Sequence, residues 1–210
     1  MDYFQKCCIY ANYNVTLDRF LQCYTLIHAN SIIPMNDNIS VISNSLLYIL
    51  QKFEDATIGK HKLFKILYFA EQKHLAKYGK SITEDTYIAM PYGPVPSLAL
   101  DIVNYEDNNA FPNPEMQEAK SMLEVNDKFV TALSPPDLEW LSVSEIKCID
   151  ESFDENCNLT FGQLTDKSHD SAWNEASRLM DKLKIAKAGG ANDGVLNYMS
   201  YKEELKNLRF

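Results

Sequence analysis

The chain has 210 residues, of which 46% are hydrophobic and 23% are charged, and it carries a net charge of −9. This length suits one domain with a buried core, and this composition is typical of a globular protein and excludes wholesale disorder. The sequence has no run of eighteen apolar residues that could span a membrane, and its first fifteen residues (MDYFQKCCIYANYNV) lack the apolar region of a signal peptide. The negative charge opposes bulk attraction to nucleic acid or to anionic lipid. We therefore expect a cytoplasmic globular protein.

The cysteines agree with that compartment. They are odd in number and contain no C-x-x-C pair, so the sequence indicates neither a disulfide framework nor a zinc site. The five are Cys7, Cys8, Cys23, Cys148 and Cys157.

Residues 1–34 differ in composition from the rest of the chain. They hold six aromatic residues and three of the cysteines at zero net charge, so the remainder carries the whole −9. One hypothesis is an upstream extension from a misassigned start codon, since Met35 opens a stretch typical of a domain start; the alternative is a genuine helical arm at residues 16–29. We predict an N-terminal extension at 1–34, the main domain at 35–185 and a C-terminal tail or helix at 186–210.

Two helices open the predicted fold. From Ile39 onward, apolar residues recur at steps of three and four as far as Phe53, which predicts a helix with one buried stripe. A second helix is predicted from Lys60 to Tyr78, where Gly79 supplies a C-terminal stop. Its expected inward stripe is Leu63, Ile66, Leu67, Ala70, His74 and Tyr78, widened by Phe64 and Phe69.

A short strand and a rigid turn follow. Residues 86–90 are rich in β-branched and aromatic side chains, which predicts a strand. Prolines at 91, 94 and 96 forbid that strand to continue as an interior one, and Gly93 permits a backbone angle closed to other residues. We expect a proline turn over Met90–Pro96, leading into a helix that runs to about residue 105.

In the second half of the chain, the sequence predicts a turn at residues 111–114 and then several short elements. These are a helix at 115–124, a strand at 129–133 that would pair with 86–90, helices started by the capping boxes Ser142/Glu145 and Thr160/Gln163 (the latter with Phe161 and Leu164), a helix from Ser171 anchored by Trp173, and a weak helix at 196–208. The expected fold class is mainly α (α+β): a compact helical domain with a small antiparallel β element.

Candidate catalytic and metal-binding groups are sparse. Glu71 and His74 have the i, i+3 spacing of a di-metal bundle site, but such a site needs a second copy that the four histidines cannot supply. Neither a nucleophile elbow nor a phosphate loop is present, and Ser168-His169-Asp170 is only a tripeptide. We therefore expect no cofactor and no enzyme, and keep a metal-assisted enzyme as a minor alternative.

The second helix is locally basic and aromatic. Such a helix could bind RNA or DNA as part of a regulator, or it could be a solvated face whose lysines pair with the abundant acids; the net charge favours the second interpretation. Its cations are Lys60, His61, Lys62, Lys65, Lys73, Lys77 and Lys80.

The proline turn is the most specific local feature. Three prolines and one glycine restrict nearly every backbone angle between Met90 and Pro96. This rigidity either sets the direction from strand to helix or presents Tyr92 to a partner protein at low entropic cost. The two interpretations are compatible.

Taken together, these segments resemble the Panacea domain, the family of SocA-like antitoxins and phage-associated proteins. The resemblance covers residues 40–180 and rests on three blocks: Lys62-Leu63-x-Lys65-x-Leu67-Tyr68-Phe69-Ala70 with His74-Leu75-x-x-Tyr78-Gly79, then Tyr92-Gly93-Pro94-Val95-Pro96, then Ser168-His169-x-x-Ala172-Trp173. Residues 1–34 have no counterpart in the family pattern.

The resemblance implies a compact, mostly helical, non-enzymatic module. Its members neutralise a toxin encoded by an adjacent gene through direct binding, and some deliver that toxin to a cellular protease as proteolytic adaptors. The family supplies no agreed binding residues. From rigidity and expected exposure we predict that the partner-binding residues are Lys73, Lys77, Tyr92, Pro94 and Trp173.

Overall fold

The computed structural model describes residues 37–106 and 113–207, with side chains through residue 205. The expectations for residues 1–34, the helical arm included, and for the first half of the turn at 111–114 lie outside these residues. The proposed domain boundaries at 35 and 185 stay predictions.

Helices make up most of the described chain. Nine α-helices lie in the two described ranges: α1 (Asp37–Gln51), α2 (Lys60–Tyr78), α3 (Ser97–Val103), α4 (Pro114–Ser121), α5 (Val143–Asn156), α6 (Phe161–Ser168), α7 (Ser171–Asn174), α8 (Lys182–Ala188) and α9 (Asp193–Asn207). A 3-10 turn at Leu138–Trp140 precedes α5. The predicted second helix and both capping boxes, at the starts of α5 and α6, are confirmed.

Five short strands form two small antiparallel sheets. They are β1 (Thr57–Gly59), β2 (Tyr87–Met90), β3 (Gly93–Pro96), β4 (Leu123–Asn126) and β5 (Phe129–Ala132). One sheet has the order β1-β5-β4 and the other is the hairpin β2-β3. The predicted fold class, mainly α with a small antiparallel β element, is confirmed.

The predicted pairing of the strand at 129–133 with that at 86–90 is wrong. β5 lies between β1 and β4, whereas β2 pairs with β3 across the turn Pro91–Tyr92. The prolines permit this pairing because of register. Ser97 N donates to Thr86 O at 2.9 Å. Because bonded and non-bonded positions alternate along an antiparallel pair, Pro94 and Pro96 occupy positions of β3 at which no backbone N–H is needed to bond β2. The segment predicted as a proline turn therefore contains a two-residue turn, Pro91–Tyr92, followed by the strand β3.

Sequence patterns missed three further elements. β1 has three residues, too few to show alternation, and residues 123–124 lie in β4 rather than in the predicted helix at 115–124. α8 was also missed: its side-chain cap, Asp181, is a signal that the sequence offered, since it accepts from Leu183 N at 2.7 Å.

α2 is the central helix. Every residue from Leu63 to Glu71 is buried, so the helix is covered on all sides. One core cluster packs against it from α1, α3, α5 and the three-stranded sheet; a second joins its other face to the hairpin, α6, α7, α8 and α9. Tyr78 was expected in the inward stripe and is instead 45% exposed.

Candidate partner-binding site

The tip of the β2-β3 hairpin carries an exposed group of rings. Tyr92 is 63% exposed, and its ring meets the ring of Phe161 edge-on with centroids 5.4 Å apart. Phe161 is 53% exposed at the start of α6 and lies 4.0 Å from the ring of His61. We call His61, Tyr92 and Phe161 the aromatic patch. Such rings give contact area at little cost in side-chain entropy.

A buried lysine holds the strand behind the patch. Lys65 is 1% exposed, and its Nζ donates to the carbonyl oxygen of Pro94 at 2.7 Å. Gly93 has φ +93°, and a Cβ there would overlap Ser168 Oγ and lie 2.9 Å from Lys65 Nζ. Only glycine therefore fits between α2 and α6 at this point.

The end of β2 is fastened by Trp173. Its indole Nε1 donates to Met90 O at 3.0 Å, and its ring stacks on His169 at 3.7 Å. Asp170 caps α7 through the backbone N–H of Trp173 and accepts from the Tyr68 hydroxyl at 2.7 Å. The third sequence block is thus tied both to the hairpin and to α2.

The outer edge of β2 is also covered. Ala89 N donates to Arg178 O at 2.8 Å, and Met180 N donates to Tyr87 O at 2.9 Å. The hairpin therefore has hydrogen-bonded neighbours on both sides, which hold it in place. This bonding places Tyr92 on a preorganised backbone.

Burial lowers the pKa of two basic groups, Lys65 behind the patch and His61 within it. Burial lowers the pKa of Lys65 to about 7. No carboxylate of the described residues pairs with its ammonium group. Burial, aided by the nearby charge of Lys65, also lowers the pKa of His61 to about 4. At neutral pH His61 is therefore an uncharged ring that bonds Thr165 Oγ1 at 3.2 Å.

Glu71 and His74 have structural partners. Glu71 is buried and accepts from Ser81 Oγ and from the backbone N–H groups of Ile82 and Thr83 at 3.1 and 3.2 Å, and burial raises the pKa of this carboxyl. His74 lies between Lys80 O at 2.7 Å and Ser144 Oγ at 3.1 Å. No group of three potential metal ligands occurs within the described ranges.

The lysines of α2 are engaged. Lys73 pairs with Glu155 at 2.6 Å and Lys77 with Glu151 at 2.5 Å, both on α5. Lys62 donates to Cys157 O at 2.7 Å and Lys60 to Asn104 at 2.8 Å. With Lys65 buried as well, the helix does not present the free basic face that nucleic-acid binding needs.

The structure divides the predicted partner-binding residues into two groups. Tyr92, Pro94 and Trp173 belong to the hairpin and its supports, while Lys73 and Lys77 lie opposite α5. The premise of exposure holds for Tyr92 and is wrong for Pro94, which is buried and acts through its carbonyl. Trp173 is half-buried.

Sequence reasoning missed Phe161 and His61 as parts of this surface. The Thr160/Gln163 capping box was the available signal for Phe161. It makes Phe161 the first residue of the helix, where a side chain can point away from the core.

Comparison with known proteins identifies the family. A family model described as antitoxin SocA-like, Panacea domain matches residues 63–174, more than half of the chain. The chain therefore belongs to this family, which confirms the resemblance. The match runs from α2 through α7 and so contains the hairpin, Lys65 and Trp173. Neither the curated proteins nor the solved structures contain a match. Within the described residues, no helix has both the length and the hydropathy to cross a membrane.

Proposed function

We propose that this protein is the antitoxin of a toxin–antitoxin system and neutralises a cognate toxin, encoded by an adjacent gene, by binding it directly. Family membership supports the antitoxin role. The observation that carries the binding surface is the aromatic patch. Tyr92 and Phe161 are exposed, large and in mutual contact, and the hairpin backbone that carries Tyr92 is bonded to Lys65 and Trp173.

The mechanism is stoichiometric masking rather than catalysis. The aromatic patch docks on the toxin and covers its active site or its target-binding surface. Exposed aromatic residues on a rigid base are typical hot spots, since little ordering entropy opposes their burial. Lys73 and Lys77, which lie opposite α5, form a second proposed contact, whereas Pro94 and Trp173 hold the hairpin in place.

The charge of the whole chain supports capture of a basic toxin. A net charge of −9 would accelerate the encounter by electrostatic steering. The association rate with a basic toxin should therefore fall as salt concentration rises.

A growth assay tests this proposal. The adjacent open reading frame is expressed alone, with the wild-type chain, and with the double variant Tyr92→Ala/Phe161→Ala. We expect the wild type to relieve toxicity and the double variant to fail. Loss of two hot-spot rings should weaken toxin binding by roughly a hundredfold or more, as measured by calorimetry.

Phe129→Ala is the matched control. Phe129 is a 49% exposed ring in β5, on the other sheet, so its removal should leave rescue and affinity intact. Full rescue by a folded double variant would place the binding surface elsewhere. A wild-type chain that neither binds the neighbouring protein nor relieves its toxicity would contradict the antitoxin proposal itself.

Delivery of the toxin to a protease is the finer form of the same proposal. An adaptor shortens the lifetime of its partner, whereas a masking antitoxin leaves it unchanged. The half-life of the toxin in growing cells, with and without this chain, separates the two.

A further inference from the structure

A cleft of about 410 Å³ lies beside the last turn of α2. Its walls come from three separate segments: the end of α2 with the loop that follows it, the start of α8, and α9. A glycine lets two of these walls meet, because a Cβ on Gly79 would lie only 2.9 Å from the ring of Tyr198 on α9. Sites for small molecules typically measure about 300–1,000 Å³, so a ligand of modest size would fit here.

The deeper side chains of the cleft are mainly apolar. Leu75, Met180 and Met199 are 1%, 6% and 8% exposed and belong to the second core cluster, and Leu183 packs against that cluster. We call these four residues the apolar floor. Two of them are methionines, whose flexible thioethers adapt to the shape of a bound group. The floor is therefore suited to an apolar ligand body, whose burial the hydrophobic effect would favour.

Each of the three segments also contributes a lysine to the cleft. Lys80 follows α2, Lys182 lies at the start of α8 and Lys202 lies on α9. The Nζ of Lys182 donates to Glu84 Oε2 at 2.7 Å. Lys80 and Lys202, in contrast, pair with no carboxylate of the described residues. Two unpaired ammonium groups from different segments therefore border the apolar floor.

Three acids line the cleft as well, but two of them are engaged. Glu84 is neutralised by its lysine partner, and Asp181 accepts from two backbone N–H groups at the start of α8 at 2.7 and 3.4 Å. Glu71 lies behind the wall, where Ser81 and the loop after it occupy its carboxylate. Glu203, exposed on α9, is the lining acid that has neither an ion pair nor a capping role within the described chain. The cations without a partner therefore outnumber the carboxylates without one.

From this arrangement we propose that the cleft binds a small organic monocarboxylate, whose carboxylate is bound by Lys80 and Lys202 and whose apolar body covers the floor. The two ammonium groups supply charge-assisted hydrogen bonds that a neutral ligand would leave unused. An inorganic anion would leave the apolar floor in contact with water, so the site selects a molecule that has both parts. The α8 and α9 walls lie beyond residues 63–174, outside the matched family domain. The proposal does not depend on the antitoxin function.

Calorimetric titration of the full chain with octanoate tests the site. We expect a one-to-one complex with a dissociation constant of roughly 0.1–1 mM, since a ligand of so few atoms gains limited binding energy. Octanamide has the same shape without the charge and should bind at least about tenfold more weakly, because it offers the two ammonium groups no anion. Absence of octanoate binding at about 5 mM, or equal binding of octanamide, would overturn the proposal.

Two matched double variants locate the site. Lys80→Met/Lys202→Met removes both unpaired ammonium groups and should weaken octanoate binding by at least about tenfold. Lys184→Met/Lys187→Met removes the same charge from residues of α8 that do not line the cleft, and it should bind octanoate like wild type. The unfolding temperature of each variant checks that it is folded. Loss of affinity confined to the first variant would support the assignment, whereas equal octanoate affinity in the two variants would overturn it.

Discussion

Lys65 is a buried lysine whose only hydrogen-bond partner among the described residues is the carbonyl oxygen of Pro94. A protonated amine in this position is desolvated without a counter-charge, which is why its pKa is lowered to about 7 from an ordinary value of 10.5. While Lys65 is charged in the unfolded chain, the free-energy cost of burying it opposes folding. Its hydrogen bond to Pro94 O sets the position of β3. Its location under the β2-β3 hairpin suits a residue that positions Tyr92.

This pKa predicts the pH dependence of stability. Between pH 7 and about 10.5 the unfolded chain holds more protons on Lys65 than the folded chain, so the free energy of unfolding gains a term that rises with pH. We expect Lys65→Met to remove this rise, which should amount to roughly 1–3 kcal/mol between pH 7 and pH 9.5. Urea unfolding at both pH values measures it.

Lys73→Met is the control for this experiment, since it deletes a lysine of the same helix that pairs with Glu155 at the surface. It should keep the wild-type pH dependence. A Lys65→Met protein whose stability rises with pH as steeply as wild type would contradict the proposed titration.

At the scale of elements, α3 depends on a cap from outside its own sequence. Pro96 occupies its N-cap position and offers no side-chain acceptor. The carboxylate of Asp85 accepts from Leu98 N at 2.9 Å and from Ala99 N at 3.0 Å, and also from Thr86 N. One buried side chain thus joins the loop before β2 to the helix after β3 and closes the base of the hairpin.

Removal of this cap should be costly. We expect Asp85→Ala to lower the free energy of unfolding by about 2 kcal/mol, because it leaves one buried and one half-buried N–H donor of a seven-residue helix without acceptors. Asp101→Ala removes an exposed acid from the same helix and should change stability by less than about 0.5 kcal/mol. Equal losses, measured by urea unfolding, would show that capping is not the role of Asp85.

At the scale of the molecule, charge pairing bears on the alternative that α2 binds nucleic acid. The acids of α5 neutralise Lys73 and Lys77, and the chain as a whole is strongly negative. A nucleic-acid site requires several free cations on one face, since affinity depends on the release of counterions from phosphates.

We therefore expect no electrophoretic shift of duplex DNA or of RNA by this protein, even at low salt. The variant Glu151→Gln/Glu155→Gln, which frees the two lysines, is the informative comparison, because binding by the variant alone would show that α5 masks a latent basic face. Salt-sensitive binding by wild type would revive the regulator hypothesis.

Much of the local structure could be predicted from the sequence. The stop of α2 at the left-handed Gly79 (φ +61°) and the capping boxes of α5 and α6 depend on residues a few positions apart. Their interactions are already present within one turn of helix, so short patterns suffice. The aromatic patch could be predicted only in part: the turn drew attention to Tyr92, but nothing local connects it to Phe161.

The sequence by itself determined the helical character of this protein, the sites where its main helices begin and end, and the motif blocks of its family. Tertiary structure decided which strands pair, that Lys65 bonds Pro94 beside Ser168, and that Tyr78 remains outside the core. The physical reason is the separation along the sequence over which each kind of interaction acts. Capping and helical periodicity act over three or four residues, whereas the β1-β5 pair and the buried polar bonds join segments 29 to 102 residues apart, whose meeting depends on how all the helices pack.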